Sequence, residues 1–153
     1  MSLQPKLVLD TSALIEYIVL SSPYRQLLEE IFKEAVKGQR ELFINSITLS
    51  EVLYIAMRIY RAANLEDPNS EAKKFIMWLV SRANIVNIDK DIALYAGELK
   101  KKLKIALPDC FVIATARKIH GSALFKKAEK EMLPILNKLK KLNVLFLEEL
   151  LKK

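Results

Sequence analysis

Residues 6–12 read KLVLDTS, and this short stretch gives the first indication of the fold. Its apolar run predicts a buried β-strand, bounded by Pro5 on one side and by the hydroxyl pair Thr11 and Ser12 on the other. Asp10 ends this run, although carboxylates are almost never fully buried unless they are paired or bind a metal. In α/β proteins the carboxyl end of a buried strand is the usual place for a ligand site. Asp10 is therefore the first candidate site residue.

Apolar runs of strand length alternate with helical patterns along the rest of the chain. Four further strands are predicted at residues 42–45, 84–88, 122–125 and 143–147. In the first part of the chain, helices are predicted from an N-cap at Ser12 to about Ile18, from Ser22 to Gly38, from Ser46 to Ala63 and from Asp67 to Ala83. Three more are predicted over residues 91–103 with Asp89 as cap, from Pro108 to His120, and over residues 130–141 with an interruption at Pro134. A short basic tail follows the last strand. The alternation predicts an α/β domain with right-handed βαβ units and a mostly parallel sheet. No linker or internal repeat is visible, so we expect a single domain over residues 1–153.

The bulk composition narrows the class of protein. A chain of 153 residues with 52% hydrophobic residues, 3 Gly and 5 Pro is long enough for one compact, helix-rich domain and is not typical of a disordered protein. The single cysteine, Cys110, cannot form an internal disulfide, which favours a reducing cytoplasm. Residues 1–9 show no signal-peptide pattern, and no apolar stretch is long enough to span a bilayer. We therefore expect a cytoplasmic protein with no membrane partner.

The basic residues are concentrated in the second part of the chain. From Lys100 onward, 14 Lys and Arg face 5 Asp and Glu, a net charge of +9, whereas residues 1–99 carry −2. A basic surface favours a polyanionic partner, because phosphate contacts release counterions and steer association. A lysine-rich helix face that only keeps the chain soluble explains the same charge equally well.

Two more acids stand where their neighbours are apolar. Glu51 lies within SITLSEVLYIAM, and no Lys or Arg occupies positions 47, 48, 54 or 55 to form an ion pair with it one turn away. Asp109 lies in LPDCFVIATA, at the start of an apolar helix, where helix capping alone would also explain an acid. The site role for Asp109 is favoured because that helix start is expected at the same sheet edge as Asp10. Thr115, further along this helix, could bond to the acids or merely pack.

The segment after the fourth predicted strand supplies a fourth candidate acid. Glu129 and Glu131 lie in KKAEKEM, where alternating charges usually form a solvated helix face with i,i+4 pairs. We choose Glu129 by its position and keep Glu131 as the alternative. Four acids from distant parts of the chain, Asp10, Glu51, Asp109 and Glu129, thus form one predicted cluster.

Several polar residues have structural explanations on sequence grounds. An N-cap role would explain Asp10, but Thr11 or Ser12 could cap that helix without an acid. Asp89 and Asp91 fit the first turn of a helix, and His120, before Gly121, fits a helix end. Glu16 is expected to be a solvated surface acid. One histidine and one cysteine leave little material for a zinc site or a Cys–His dyad, and no glycine-rich nucleotide loop occurs.

Three segments, in order, resemble the motifs of the PIN-domain family and, within it, of the VapC-type toxin ribonucleases. VLDTSALIEYI resembles the first motif, an Asp that ends the first strand followed by a hydroxyl pair. SITLSEVLYI resembles the second, a Glu on a helix, and LPDCFVIATA resembles the third, an Asp before an Ala-rich helix. The fourth motif departs from the family: KKAEKEM lacks the usual threonine, and Glu129 and Glu131 stand in place of aspartates.

This resemblance implies a three-layer α/β/α domain that cuts RNA with Mg²⁺ or Mn²⁺. Oxygen-only ligands select hard divalent ions, in agreement with that implication. Asp10 and Asp109 would bind metal directly, Glu51 would bind metal or orient the attacking water, and Glu129 would complete a second site. The candidates for contact with the RNA backbone are Lys126, Lys127, Arg117 and Lys118.

The resemblance also implies partners. A small antitoxin would hold the enzyme inactive by inserting a segment into the acidic pocket. The apolar stretches IEYIVL and LYIAMRIY exceed what one core face needs, and they predict a homodimer. Two alternatives stay open at this point: a catalytically weak PIN module that binds RNA within a processing complex, and a flavodoxin-like binding domain with an incidental acidic pocket.

Overall fold

The computed structural model describes residues 5–152, whose strands form one five-stranded sheet in the order β3-β2-β1-β4-β5. Every strand pair in this sheet is parallel. The strands are β1 (Lys6–Leu9), β2 (Glu41–Asn45), β3 (Asn84–Val86), β4 (Ser122–Phe125) and β5 (Val144–Phe146). Residues 1–4 and 153 lie outside the described residues. The predictions that include them, the domain over residues 1–153 and the absence of a signal-peptide pattern in residues 1–9, are therefore not described at these positions.

The helices of the described residues connect these strands. They are α1 (Thr11–Leu14), α2 (Arg25–Val36), α3 (Ser46–Ala62), α4 (Pro68–Arg82), α5 (Lys90–Leu103), α6 (Leu107–Lys118), α7 (Leu136–Lys141) and α8 (Leu147–Leu151). Short 3₁₀ segments follow α1 at Ile15–Tyr17 and precede α7 at Lys130–Ile135. No helix within residues 5–152 has the length and apolar character that crossing a bilayer requires.

The predicted elements are present, and the structure corrects some of their boundaries. The first helix is a single α turn that continues as a 3₁₀ turn, and its N-cap is Asp10 rather than Ser12. The second helix begins at Arg25, three residues after the predicted start. The predicted strands 84–88 and 143–147 are shorter and end at Val86 and Phe146, and Leu147, which was predicted as strand, begins α8 and is buried against the core. The predicted interruption at Pro134 is confirmed: this residue, which has no N–H to donate, lies in a 3₁₀ segment, and α7 begins at Leu136.

Alternate strand residues face two separate cores, which gives the three-layer α/β/α architecture. Leu7 and Leu9 of β1 pack on the side of α1 to α4 and α8, whereas Val8 packs on the side of α5 to α7. In β4, Leu124 and its neighbour Ala123 divide in the same way. Because both faces of the sheet are covered, its central strands β1 and β4 are apolar after their first residues, Lys6 and Ser122. The predicted α/β fold is confirmed.

Parallel pairing brings the ends of the central strands to one edge of the sheet. Leu9 is paired with Leu124, and the Asp10 amide donates a hydrogen bond to the Leu124 carbonyl at 2.9 Å. β2 ends at Asn45, which is fully buried and accepts a hydrogen bond from the Thr48 amide at 2.8 Å as the cap of α3. The first residue after β1, the start of α3 and the end of β4 therefore meet at the carboxyl edge.

Candidate active site

Asp10 is held at the carboxyl edge by the helix that it caps. Its side chain is 5% exposed, and its Oδ2 accepts hydrogen bonds from the Ser12 amide at 2.9 Å and from the Ser12 hydroxyl at 2.6 Å. Burial raises the pKa of Asp10, and the charge of Glu51 raises it further, against the bonds from Ser12 that lower it. Asp10 therefore caps the first helix, and its role as a metal ligand stays a prediction.

A hydrogen bond from Thr11, the residue after Asp10, holds Glu51 near Asp10. The Thr11 hydroxyl donates a hydrogen bond to Glu51 Oε1 at 2.9 Å, across forty residues of sequence. Glu51 is half-buried in the second turn of α3, whose start is fixed by the Asn45 cap. The two hydroxyl residues after β1 therefore bind different acids: Ser12 orients Asp10, and Thr11 orients Glu51.

The pKa of Asp109 is affected by the charges of the other candidate acids. Its pKa is raised to about 7, first by burial and then by the charges of Asp10, Glu131, Glu51 and Glu129, in that order. Like charges close together disfavour each other's ionised form, so Asp109 binds a proton at a higher pH than an isolated carboxyl does. A carboxyl perturbed by both burial and specific charges is a recognised mark of functional sites.

Asp109 lies in the first turn of α6, as predicted, but it does not cap this helix by hydrogen bonding. The N-cap of α6 is Ala106, and no side chain caps this helix by hydrogen bonding. Asp109 stands in the first turn, where the helix dipole favours an anion, yet repulsion within the cluster still raises its pKa. Its position is set by the fold rather than by the needs of α6.

The fourth acid comes from the exposed segment after β4. Glu129 precedes the 3₁₀ segment, and its carbonyl accepts a hydrogen bond from the Met132 amide at 2.9 Å. Both Glu129 and Glu131 are exposed, and both raise the pKa of Asp109, with Glu131 having the larger effect. The choice of Glu129 over Glu131 stays a prediction.

The chemistry of these donors fits a hard divalent cation. All the acids offer oxygen, and a cation among them would offset the repulsion that raises the pKa of Asp109. Within residues 5–152, no three Asp, Glu, His or Cys side chains stand close enough together to hold one ion. The carboxylates of residues 5–152 are thus near enough to affect the pKa of Asp109, but no three of them are placed to bind the same ion.

Thr115 serves the scaffold of the site. Its hydroxyl accepts a hydrogen bond from Asn45 Nδ2 at 3.2 Å and donates one to the Phe111 carbonyl at 2.7 Å. Thr115 is fully buried. The contact between Asn45 and Thr115 joins the start of α3 to α6, and so it fixes Glu51 relative to Asp109.

The predicted structural acids are confirmed as such. Asp89 caps α5 by accepting from the Ile92 amide at 2.8 Å, and that bond, more than the nearby Lys118, lowers the pKa of Asp89. Lys118 Nζ lies 3.5 Å from Asp89 Oδ2 and 3.8 Å from Asp91 Oδ2. His120 adopts a left-handed φ of 57° just after α6, the conformation in which many helices end.

The basic candidates fall into two groups. Lys118 and Arg117, whose guanidinium lies 4.1 Å from the ring centroid of Tyr95, stand at the opposite end of α6 from Asp109, about 12 Å along the helix axis. Lys126 directly follows β4, at the edge where Asp10 lies. Lys127 follows it and is exposed. The Lys126 amide donates a hydrogen bond to the Ser12 hydroxyl beside Asp10, so of the four candidates Lys126 has a described contact with the acidic site.

The prediction that Glu16 is a solvated surface acid is wrong. It is 8% exposed, accepts a hydrogen bond from the Ser22 hydroxyl at 2.8 Å and lies 3.4 Å from Lys126 Nζ. The signal that pointed to Glu51, an acid inside an apolar stretch, is equally present in ALIEYIVL around Glu16. Its partner, 110 positions further along the chain, could not be recognised without the fold.

Comparison with known proteins agrees with this geometry. The family model of the PIN domain matches residues 7–138. A DNA-bound VapBC structure from Salmonella typhimurium is 18% identical with a TM-score of 0.66, covering 92% of this chain and 97% of that chain. VapBC2 from Rickettsia felis, bound to a DNA fragment from its promoter, is 18% identical with a TM-score of 0.62, covering 92% and 96%.

A toxin–antitoxin complex from Klebsiella pneumoniae is 24% identical with a TM-score of 0.59, covering 84% of this chain and 92% of that chain. At these identities the likeness concerns the fold. None of the curated protein sequences compared with this chain matches it.

Proposed function

The chain belongs to the PIN domain family, and we propose that it is a metal-dependent endoribonuclease of the VapC toxin type. The observation that carries this proposal is the acidic cluster at the carboxyl edge, where the hydroxyls of Thr11 and Ser12 hold the carboxylates of Glu51 and Asp10. Burial and the charges of the four other acids raise the pKa of Asp109 to about 7. A carboxyl whose pKa is raised by burial together with specific neighbouring charges is a candidate for a functional site, and a bound cation would offset the repulsion among these acids. The acids, the family and the basic second half of the chain all agree with a reaction on a polyanion.

The carboxylates have distinct roles in this proposal. Asp10 and Asp109 are direct ligands of Mg²⁺ or Mn²⁺, and Glu51 binds metal or orients the attacking water. Glu129, or Glu131 in its place, completes the set. When bound, the metal lowers the pKa of water and offsets charge on the scissile phosphate. Ser12 and Thr11 keep the Asp10 and Glu51 carboxylates in fixed orientations through their hydroxyl hydrogen bonds.

A small antitoxin is the proposed inhibitor. A groove of about 860 Å³ lies between the 3₁₀ turn after α1 and the helices α3 and α4. Its walls include Tyr17, Tyr60, Phe75 and Trp78, and Leu20 at its border is 84% exposed. An apolar groove of this kind suits the apolar face of a partner helix. The Klebsiella neighbour is itself a toxin–antitoxin complex.

A homodimer is the proposed assembly. Leu53 and Tyr54, in the stretch LYIAMRIY of α3, are exposed large side chains that a second copy could cover. Analytical ultracentrifugation at micromolar concentration tests this. A monomer there would contradict it.

The test of the nuclease is cleavage of a pooled RNA by the wild-type protein with Mn²⁺. We expect cleavage that EDTA removes and that Asp10→Asn abolishes, since Asn cannot supply the charge of a direct ligand. Asp89→Asn is the matched control, because it neutralises an acid that caps α5 away from the cluster. Equal cleavage by wild type and Asp10→Asn would refute the proposal.

A second candidate is a PIN module that binds RNA with little catalysis. It is favoured by the altered segment KKAEKEM and by the acids' failure, within residues 5–152, to converge on one ion-sized point. In that case no Mn²⁺-dependent cleavage occurs, and Asp10→Asn leaves the RNA affinity nearly unchanged.

A further inference from the structure

A buried acid and a half-buried lysine form an ion pair next to the acidic site. Glu16 Oε2 lies 3.4 Å from Lys126 Nζ, and the side chains are 10% and 33% exposed. The other carboxylate oxygen of Glu16, Oε1, accepts a hydrogen bond from the Ser22 hydroxyl at 2.8 Å, and this bond fixes the carboxylate independently of Lys126. Lys126 Nζ also lies 6.0 Å from the ring centroid of Tyr24. The acid is therefore anchored, and the lysine is the partner that can move.

The backbone of Lys126 is already part of the site. Its amide donates a hydrogen bond to the Ser12 hydroxyl at 3.1 Å, and that hydroxyl donates to Asp10 Oδ2 at 2.6 Å. The Lys126 carbonyl accepts from the Glu148 amide at 3.0 Å, which fixes the residue from the other side. The root of this side chain thus lies two hydrogen bonds from a proposed metal ligand. Its long stem can turn towards the acids or towards Glu16.

We propose that Lys126 binds an RNA phosphate beside the acidic cluster and that Glu16 restrains it until RNA arrives. This inference rests on the proposed RNA-directed function. Lys126 is a phosphate-binding residue, and Glu16 is a positioning residue that acts through it. The pair also contacts Ser22, which donates a hydrogen bond to Glu16, and Tyr24, whose ring centroid lies 6.0 Å from Lys126 Nζ.

The physical reason is competition for one ammonium group. Lysine carries a compact charge on a flexible stem, so it exchanges partners more readily than a bidentate arginine does. While Glu16 holds Lys126, only a fraction of molecules offers the free ammonium, and the apparent affinity for RNA falls by that fraction. Removing the acid should therefore strengthen RNA binding, whereas removing the lysine should weaken it. A pair that only stabilises the fold predicts no such opposition.

The size of each effect follows from general values. The lysine of this ion pair is 33% exposed, so solvent keeps the contribution of the pair small, and release of Lys126 by Glu16→Gln should tighten RNA binding about threefold. Loss of one phosphate contact to single-stranded RNA lowers the salt slope by about 0.7, which corresponds to about fourfold weaker binding near physiological salt. The amide that Glu16→Gln introduces retains an oxygen that can accept the Ser22 hydroxyl, so the substitution disturbs little else.

The experiment measures the dissociation constant of pooled, fluorescein-labelled single-stranded RNA by anisotropy across a salt series. Every protein carries Asp10→Asn and is assayed with Mn²⁺, so that binding is read without cleavage. Glu16→Gln should bind about threefold more tightly, and Lys126→Met about fourfold more weakly, with a shallower salt slope. The double variant should match Lys126→Met, because Glu16 acts only through that lysine.

Two variants supply the control. Glu98 and Lys101 form an exposed ion pair on α5, with Oε1 and Nζ 3.2 Å apart. Glu98→Gln and Lys101→Met change the same charges far from Lys126, and both should leave the dissociation constant within about twofold. If Glu16→Gln does not fold, Lys126→Arg carries the test: it should retain the salt slope that Lys126→Met loses.

Two results would overturn the inference. One is that Glu16→Gln weakens binding, or that neither substitution changes affinity more than the Glu98 and Lys101 controls do. The other is that no protein of the series binds RNA. Since the binding series needs no cleavage, a normal opposition of the two variants without any cleavage by the wild type would refute the nuclease and leave this inference standing.

Discussion

The clearest consequence of the acidic cluster is that its acids destabilise the metal-free protein. Asp109→Asn should therefore make the protein more stable, because it removes a carboxylate whose folded pKa is raised from 3.8 to about 7. Three pKa units correspond to about 4 kcal/mol at about 1.4 kcal/mol each. Asp109 is partly exposed, and solvent screening reduces the gain to about 2 kcal/mol at pH 8.

The sign of the pH dependence follows from proton binding. Between pH 4 and 7 the folded protein holds a proton on Asp109 that the unfolded chain has lost, so wild-type stability falls as the pH rises through this window. Above pH 7 the whole penalty is present. The advantage of Asp109→Asn should thus be largest at pH 8, smaller at pH 5 and close to zero below pH 4.

Thermal unfolding in EDTA at pH 5 and pH 8 measures this difference. An increase of about 4–8 °C in Tm at pH 8 is expected for a domain of this size. Asp89→Asn is the matched control, since a hydrogen bond from the Ile92 amide lowers the pKa of Asp89 and its removal brings no gain. With Mn²⁺ present, the wild type should regain its stability and the variant should not. A lower Tm for Asp109→Asn at pH 8 in EDTA, or an equal gain for both variants, would refute the reasoning.

Three further predictions concern the scaffold and the fourth acid. Asn45→Ala removes a buried cap and the bond to α6, and should lower the free energy of unfolding by about 2 kcal/mol in urea titrations. Gly121→Ala places a Cβ 2.6 Å from the Lys6 carbonyl oxygen, and should cost more than Gly97→Ala, whose Cβ meets nothing within 4 Å; equal Tm values would contradict this. If Glu131 is the nearer acid, Glu131→Gln should weaken Mn²⁺ binding in calorimetry more than Glu129→Gln does, and the reverse order would restore Glu129.

Sequence patterns predicted the strands well because a strand buried on both faces must be apolar along its length. KLVL and SALF are unmistakable for this reason, and the acid after KLVL marks the edge where strands end. The helix boundaries were less certain. The second helix starts at Arg25 rather than Ser22, since capping signals tolerate several registers.

The contacts between distant segments could not be predicted. Nothing in DTS indicates that Thr11 bonds to Glu51 while Ser12 bonds to Asp10, because that choice depends on where α3 lies. The burial of Glu16 depends in the same way on Lys126, which only the pairing of β1 with β4 brings near. Local pattern thus identifies which acids are unusual, and the topology decides what each one contacts.

The placement of Asp10 next to the central strand has a consequence for the dynamics of the molecule. Its amide is bonded to β4 in the middle of the sheet, so this proton should exchange with solvent only during global unfolding. Glu129 precedes the short 3₁₀ segment and Glu131 lies in it, both with exposed side chains, and the amides of this segment should exchange through small local openings. On warming, the fourth acid should therefore be lost from the cluster well before the first, and the cluster would pass through a state with three acids while the fold is still intact.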